Sequence, residues 1–158
     1  MLKKKLLQNS ILLMATVLLL CSFIPTTASA APASPAPREV KLEWNGTRLP
    51  QNGLLIDGST MIPVVLLRDS IGVTLRYEPT VKTYTLLQND DQIDMIMGAD
   101  GVAIRLNNHQ WKGPNAQVIN GRMYVPFTVL RDGFGYQSSW NATQLKLNFA
   151  KKGIFLEE

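Results

Sequence analysis

Four carboxylates within eleven residues, Asp90, Asp91, Asp94 and Asp100, form the densest group of side chains able to carry acid–base chemistry. Two positioned acids suffice for glycoside hydrolysis, one protonating the leaving group and the other acting as base or nucleophile. A small secreted hydrolase acting on cell-wall polysaccharide or peptide is therefore one reading of the chain. Against it, these acids stand in turn-like segments such as Asn89-Asp90-Asp91, where Asp is favoured because it bonds to nearby backbone. Their spacing also departs from the D-x-[DN]-x-[DN]-G calcium loop. One histidine, His109 in the polar turn Asn107-Asn108-His109-Gln110, cannot supply a site that needs several imidazoles. No catalytic, metal or cofactor-binding residue is expected, and no cofactor.

Aromatic side chains are the better candidates for recognition. Trp44 and Trp111 each lie beside a turn, where an exposed indole would suit a sugar ring or a partner protein. Core packing is the competing reading for both. Trp140 is expected in the core.

The elements that must position these groups follow from a stretch that occurs twice. Ile56 to Gly72 reads IDGSTMIPVVLLRDSIG, and Ile119 to Gly135, 63 residues later throughout, reads INGRMYVPFTVLRDGFG. Seven positions are identical, including Gly58/Gly121, Pro63/Pro126, Arg68/Arg131, Asp69/Asp132 and Gly72/Gly135, where ordinary composition gives about one match. Asp57-Gly58 and Asn120-Gly121 are the residue pairs that a tight hairpin with positive φ requires. Pro63 and Pro126 end the second strand and permit a helix to begin. Apolar residues at 64, 67 and 71, and at 127, 130 and 134, mark one helical face, and Gly72 and Gly135 stand where a left-handed residue ends a helix. Each helix spans about nine residues and needs a sheet to hold it. Arg68-Asp69 and Arg131-Asp132 fall on the polar side, where the plain expectation is a solvated face or a local ion pair.

The repeat dictates the rest of the domain plan. Val40 to Trp44, Val102 to Leu106, three short segments after the first helix and two after the second alternate in the manner of strands. The expected fold is α+β, two related β-hairpin–short helix–β units over about 40–98 and 102–150. Together they would form one pseudo-symmetric antiparallel-sheet domain over 38–150, joined by the strands around residues 93 to 106. Lys151 to Glu158 would form a C-terminal tail that adds an edge strand or frays.

Lys3, Lys4 and Lys5 precede an apolar run from Ile11 to Ile24, and Ala28-Ser29-Ala30 supplies the small residues of a cleavage site, so residues 1–30 read as a secretory signal peptide. That run is too short to span a bilayer, and no stable membrane span is expected after cleavage. The single cysteine, Cys21, follows three leucines rather than the small residue that lipidation demands. Cleavage removes it, leaving no thiol chemistry and no disulfide. Residues 31–37, APASPAP, form a Pro/Ala spacer. Of 16 basic and 12 acidic residues three lysines leave with the signal, so 13 minus 12 gives +1, and no nucleic-acid footprint remains.

The segment Ile119 to Pro126, the helix ending Leu130 to Gly135 and then Trp140-Asn141 together resemble the copper amine oxidase N-terminal domain, a stalk-like family. Ile56 to Gly72 with Tyr77-Glu78 resembles the same motif. The resemblance covers roughly residues 40 to 149. It implies a secreted bacterial module, often cell-surface or wall-associated and separate from any copper or quinone chemistry, whose partner would be a cell-wall component or a surface protein. One departure stands out: family members often carry Arg two residues after the motif Pro, and here Val65 and Thr128 occupy those places. The expectation is a non-catalytic exported cell-envelope module with a binding or stalk role.

Overall fold

The computed structural model describes residues 36–153, which belong to a compact unit spanning Ser34–Glu158. The expected signal peptide, most of the spacer and residues 154–158 lie outside the described residues.

Tight turns cut the chain into short strands. β1 (Arg38–Trp44), β2 (Thr47–Arg48), β3 (Gly53–Ile56) and β4 (Ser59–Pro63) precede the first helix. β5 (Thr74–Glu78), β6 (Thr83–Gln88), β7 (Asp91–Gly98), β8 (Gly101–Leu106), β9 (His109–Gln110), β10 (Gln117–Ile119) and β11 (Arg122–Pro126) lead to the second. β12 (Tyr136–Asn141) and β13 (Lys146–Lys151) follow it. Asn45-Gly46, Asp57-Gly58 and Asn120-Gly121 all adopt positive φ at both residues, which is what a two-residue hairpin matched to strand twist demands.

Both helices begin directly after their proline and end at their glycine. Pro63 and Pro126 sit at the N-caps with extended backbone, one residue before the first helical position, and each is also the last residue of its strand. Gly72 and Gly135 are left-handed, with φ of 80° and 68°. The first helix, α1, is a single α-turn at Val64–Leu66 that widens into a π-helix at Leu67–Ile71. The second, α2, is α-helical over Phe127–Phe134.

The single antiparallel sheet expected from the sequence is corrected to two sheets. One runs β10-β11-β4-β3-β1-β13-β12, with β2 paired to β1; the other runs β5-β6-β7-β8-β9. All pairs are antiparallel except β1 with β13, which is parallel and brings Lys41 opposite Lys146 and Trp44 opposite Phe149. Among the described residues the fold is mostly β with two short helices. The strands around residues 93 to 106 form the β7–β8 hairpin at the middle of the second sheet.

Alternation along the strands turns one face of each sheet inward. Val40 and Leu42 of β1, Leu147 and Phe149 of β13, Ile93 and Met95 of β7, and Val102 and Ile104 of β8 are all buried in one continuous core. α2 lies against β4, β11 and β12 of the first sheet and against β7 and β8 of the second. A short amphipathic helix is thereby stabilised from both sides. Among the described residues no helix is long and apolar enough to cross a membrane.

Candidate functional site

The carboxylates serve the hairpins. Asp90 and Asp91 lie at the β6–β7 turn, and Asp91 accepts a hydrogen bond from Asn107 Nδ2 at 3.1 Å. Asp94 is in the middle of β7 rather than in a turn, a correction to the turn reading. There it accepts from Thr85 Oγ1 on β6 at 2.8 Å and from Gln92 Nε2 at 2.9 Å, opposite Arg105 of β8. Asp100 stands in the β7–β8 turn. His109 is exposed in β9, just past the Asn107-Asn108 turn. Of the four acids, Asp91 and Asp94 thus bond to side chains of the β6–β8 region, while Asp90 and Asp100 stand in the turns at the two ends of β7.

The repeated Arg-Asp pairs close on themselves. Arg68 Nε lies 2.7 Å from Asp69 Oδ1 and Arg131 Nε lies 2.6 Å from Asp132 Oδ1, each on the exposed side of its helix. The hydrogen bond to Asp69, and then its charge, raises the Arg68 pKa, while the same bond lowers that of Asp69. Asp132 likewise raises Arg131. Pairs this exposed contribute little to stability.

The tryptophans separate into two kinds. Trp44 is half-buried, its ring centroid 5.1 Å from that of Tyr136 and 5.4 Å from that of Phe149. These partners arrive from β12 and β13, at the far end of the chain. Trp111 is also half-buried against the core. Its Nε1 donates to the Pro114 carbonyl at 3.1 Å, and a Cβ on Gly113 would stand 2.3 Å from the indole ring. Of the two readings open for Trp44 and Trp111, both rings thus pack inward. Trp140, expected in the core, is instead the exposed one at 43%. Its counterpart Tyr77, 63 residues earlier, is 48% exposed and lies against Tyr84 with ring centroids 4.4 Å apart.

Tyr136 is the one strongly perturbed titratable group in the interior. It is 1% exposed within a cluster that includes Trp44, Phe134 and Phe149. Burial pushes its phenol up to about 12, with the nearby Gln88 side chain acting in the opposite direction. Among the described residues neither the Tyr136 hydroxyl nor Gln88 Oε1 makes a well-formed hydrogen bond. The phenol ring packs among these aromatic side chains.

One open groove of about 520 Å³ gathers residues that sequence order scatters. Arg38 begins β1, Leu55 and Thr60 face each other across the β3–β4 hairpin, and Trp140, Leu145 and Leu147 come from the β12–β13 hairpin. Arg38 pairs with Leu55 and Trp140 with Leu147, so the groove is the uncovered end of the first sheet's inward face. The local signal for Trp140 is its place one residue from the end of β12; what exposes it is where the core stops.

A family model described as the copper amine oxidase N-terminal domain matches residues 43–148. No curated protein and no solved structure matches the chain significantly.

Proposed function

Because the chain belongs to the copper amine oxidase N-terminal domain family, a family of non-catalytic accessory domains, we propose that it is a non-catalytic exported module of the cell envelope that acts by binding or as a stalk. The observation that carries this reading is the fate of the acids. Asp91 and Asp94 of β7 and Asp69 and Asp132 of the two helices are each bonded to a neighbouring side chain, an arrangement that among the described residues offers no pair of free carboxyls across a cleft.

The domain plan fits two copies of one unit. Met61, Ile62 and Pro63 of β4 pair with Pro126, Val125 and Tyr124 of β11, so exchanging the two copies leaves the register unchanged. The copies exchange partners as well: β13 of the second adds to β1 of the first, while β6 of the first reaches β8 of the second through β7. A stalk or binding platform gains rigidity from such exchange, since no sheet belongs to one copy alone.

Cell-wall material incubated with the protein decides between binding and turnover. Co-sedimentation of the protein without release of soluble fragments is the expected result. Release of fragments that disappears in Asp94→Asn would overturn the non-catalytic reading in favour of a wall hydrolase. Absence from the pelleted wall would overturn wall binding and leave the spacer role.

A further inference from the structure

We propose that the groove between Arg38 and Trp140 is a binding site for an acidic saccharide, a pyranose unit that carries a carboxylate. The inference rests on the non-catalytic binding reading above and names the class of ligand for it.

Three features of the groove define what fits. First, Trp140 is 43% exposed, and no hydrogen bond occupies its indole among the described residues. An aromatic plane presented beside apolar walls, here Leu55, Leu145 and Leu147, matches the C–H face of a sugar ring, while the free indole N–H can donate to a hydroxyl. Second, Arg38 is exposed and makes no ion pair among the described residues. Among the described residues it is the only charged one lining the groove. A guanidinium offers a planar fork that matches a carboxylate with two parallel hydrogen bonds. Third, Thr60 adds a hydroxyl at the rim, and a space of about 520 Å³ is at the scale of a small-ligand site, enough for one or two sugar rings.

Charge complementarity selects the acidic sugar over a neutral one. A neutral saccharide would gain the Trp140 face and leave Arg38 solvated as it is; a carboxylate adds a charge-assisted pair that is lost with salt. Arg38, Leu55, Thr60, Trp140 and Leu147 stand on paired strands, with Leu145 in the turn that joins β12 to β13, so the site is held by the strand pairing.

The test uses the purified chain from residue 34 onward, the compact unit described above, with tetragalacturonate and the neutral tetrasaccharide of galactose as probes. Indole N–H resonances of Trp44, Trp111 and Trp140 are followed by heteronuclear NMR during each titration. Tetragalacturonate should shift the Trp140 signal and leave those of Trp44 and Trp111 in place, with an affinity about tenfold above that of the neutral probe at low salt. Trp140→Ala should abolish binding of both. Arg38→Gln should remove the preference for the acidic probe, and Arg38→Lys should retain part of it, while the unchanged spectrum elsewhere reports that each variant is folded. Equal affinity for the two probes, a Trp140 signal that neither moves, or a larger shift with a free-carboxylate acidic peptide than with tetragalacturonate would overturn the assignment. A Trp140 shift that depends on protein concentration alone would also overturn it, by showing that a second copy occupies the groove. Wall co-sedimentation failing while tetragalacturonate binds would sink the wall role and keep the site; the reverse outcome would sink the site and keep the wall role.

Discussion

Ile62 and Val125 face each other across the β4–β11 pair, although 63 residues of chain separate them. Both are fully buried, and the prolines that follow them start the two helices. This contact is where the stretch that occurs twice in the sequence meets itself. It makes the centre of the first sheet dependent on residues from both ends of the chain.

Residues 38–98 should therefore not fold alone. That fragment keeps β1 and β4 but loses their partners β13 and β11, and β7 loses β8. It would expose three strand edges and the inward faces of Val40, Leu42, Ile93 and Met95. The expected heteronuclear NMR spectrum of the fragment is collapsed in the amide dimension. Dispersed, slowly exchanging amides would show that the interlocked sheets are unnecessary for folding.

Gly133 and Gly135, two residues apart, should respond to substitution for different reasons. At Gly135 a Cβ would meet nothing within 4 Å, so the cost of Gly135→Val is that of forcing a β-branched residue to φ 68°, on the order of 1–2 kcal/mol. Gly72→Val, at φ 80° and also unobstructed, should cost a similar amount. At Gly133 the backbone is helical and Ala would ordinarily stabilise by up to about 1 kcal/mol, but its Cβ would lie 2.9 Å from Ile93 Cγ1 and Cδ1. Ile93 is fully buried, so Gly133→Ala should destabilise by about 1–3 kcal/mol, and Ile93→Val should recover part of that in the double variant. Urea denaturation of the four proteins in that cycle measures the coupling. Strict additivity would mean that α2 does not press on β7.

Much of the local structure was legible because it is dictated by single residues. Asp57-Gly58 and Asn120-Gly121 demanded their hairpins, Pro63 and Pro126 their helix starts, and Gly72 and Gly135 their helix ends. What could not be read was pairing between distant strands. Lys41 and Lys146 are 105 positions apart, and nothing in either segment announces that β1 and β13 run parallel or that the strands divide into two sheets. The same non-local packing reversed the expectation for Trp140. Its position in the strand was right, but burial at Trp44 and exposure at Trp140 depend on whether Tyr136 and Phe149 arrive to cover the ring. The groove residues shared no sequence spacing, so only the fold could bring Arg38 and Trp140 into one site.

Tyr136 gives the protein a defined alkaline limit. Its pKa is raised from 10.0 to about 12 by burial, so the unfolded chain ionises first as pH climbs. The group's stabilising effect is complete below pH 10 and is lost as pH rises through 12, a loss on the order of 2 kcal/mol. Because the buried hydroxyl makes no well-formed hydrogen bond among the described residues, Tyr136→Phe should be neutral or stabilising by up to about 1 kcal/mol at pH 7 and should flatten the decline between pH 10 and 12. Chemical denaturation at pH 7, 10 and 11.5 compares the two proteins. A Phe variant that is weaker at pH 7 and parallel to the parent at high pH would mean that the hydroxyl is well bonded in the folded state.

Lys82 and Leu145 are the two left-handed residues whose types do not favour that conformation, with φ of 50° and 47°, and they too are 63 residues apart. Each ends the turn of a hairpin and directs its carbonyl at a neighbouring strand, Lys82 accepting from Met97 N at 3.0 Å and Leu145 from Lys41 N at 2.8 Å. The conformation is therefore required by the sheet rather than chosen by the side chain. Asn tolerates the left-handed region better than Lys and avoids the added unfolded-state entropy of Gly. Lys82→Asn should stabilise by about 0.5 kcal/mol, while Lys82→Val, β-branched and resistant to positive φ, should cost more than about 1 kcal/mol. Since Lys82 is exposed, packing changes little in either variant, and the order Asn above Lys above Val in urea midpoint isolates the backbone effect. Indistinguishable midpoints for the three proteins would show that the turn relaxes out of the left-handed region at no cost and that the carbonyl contact to Met97 is dispensable.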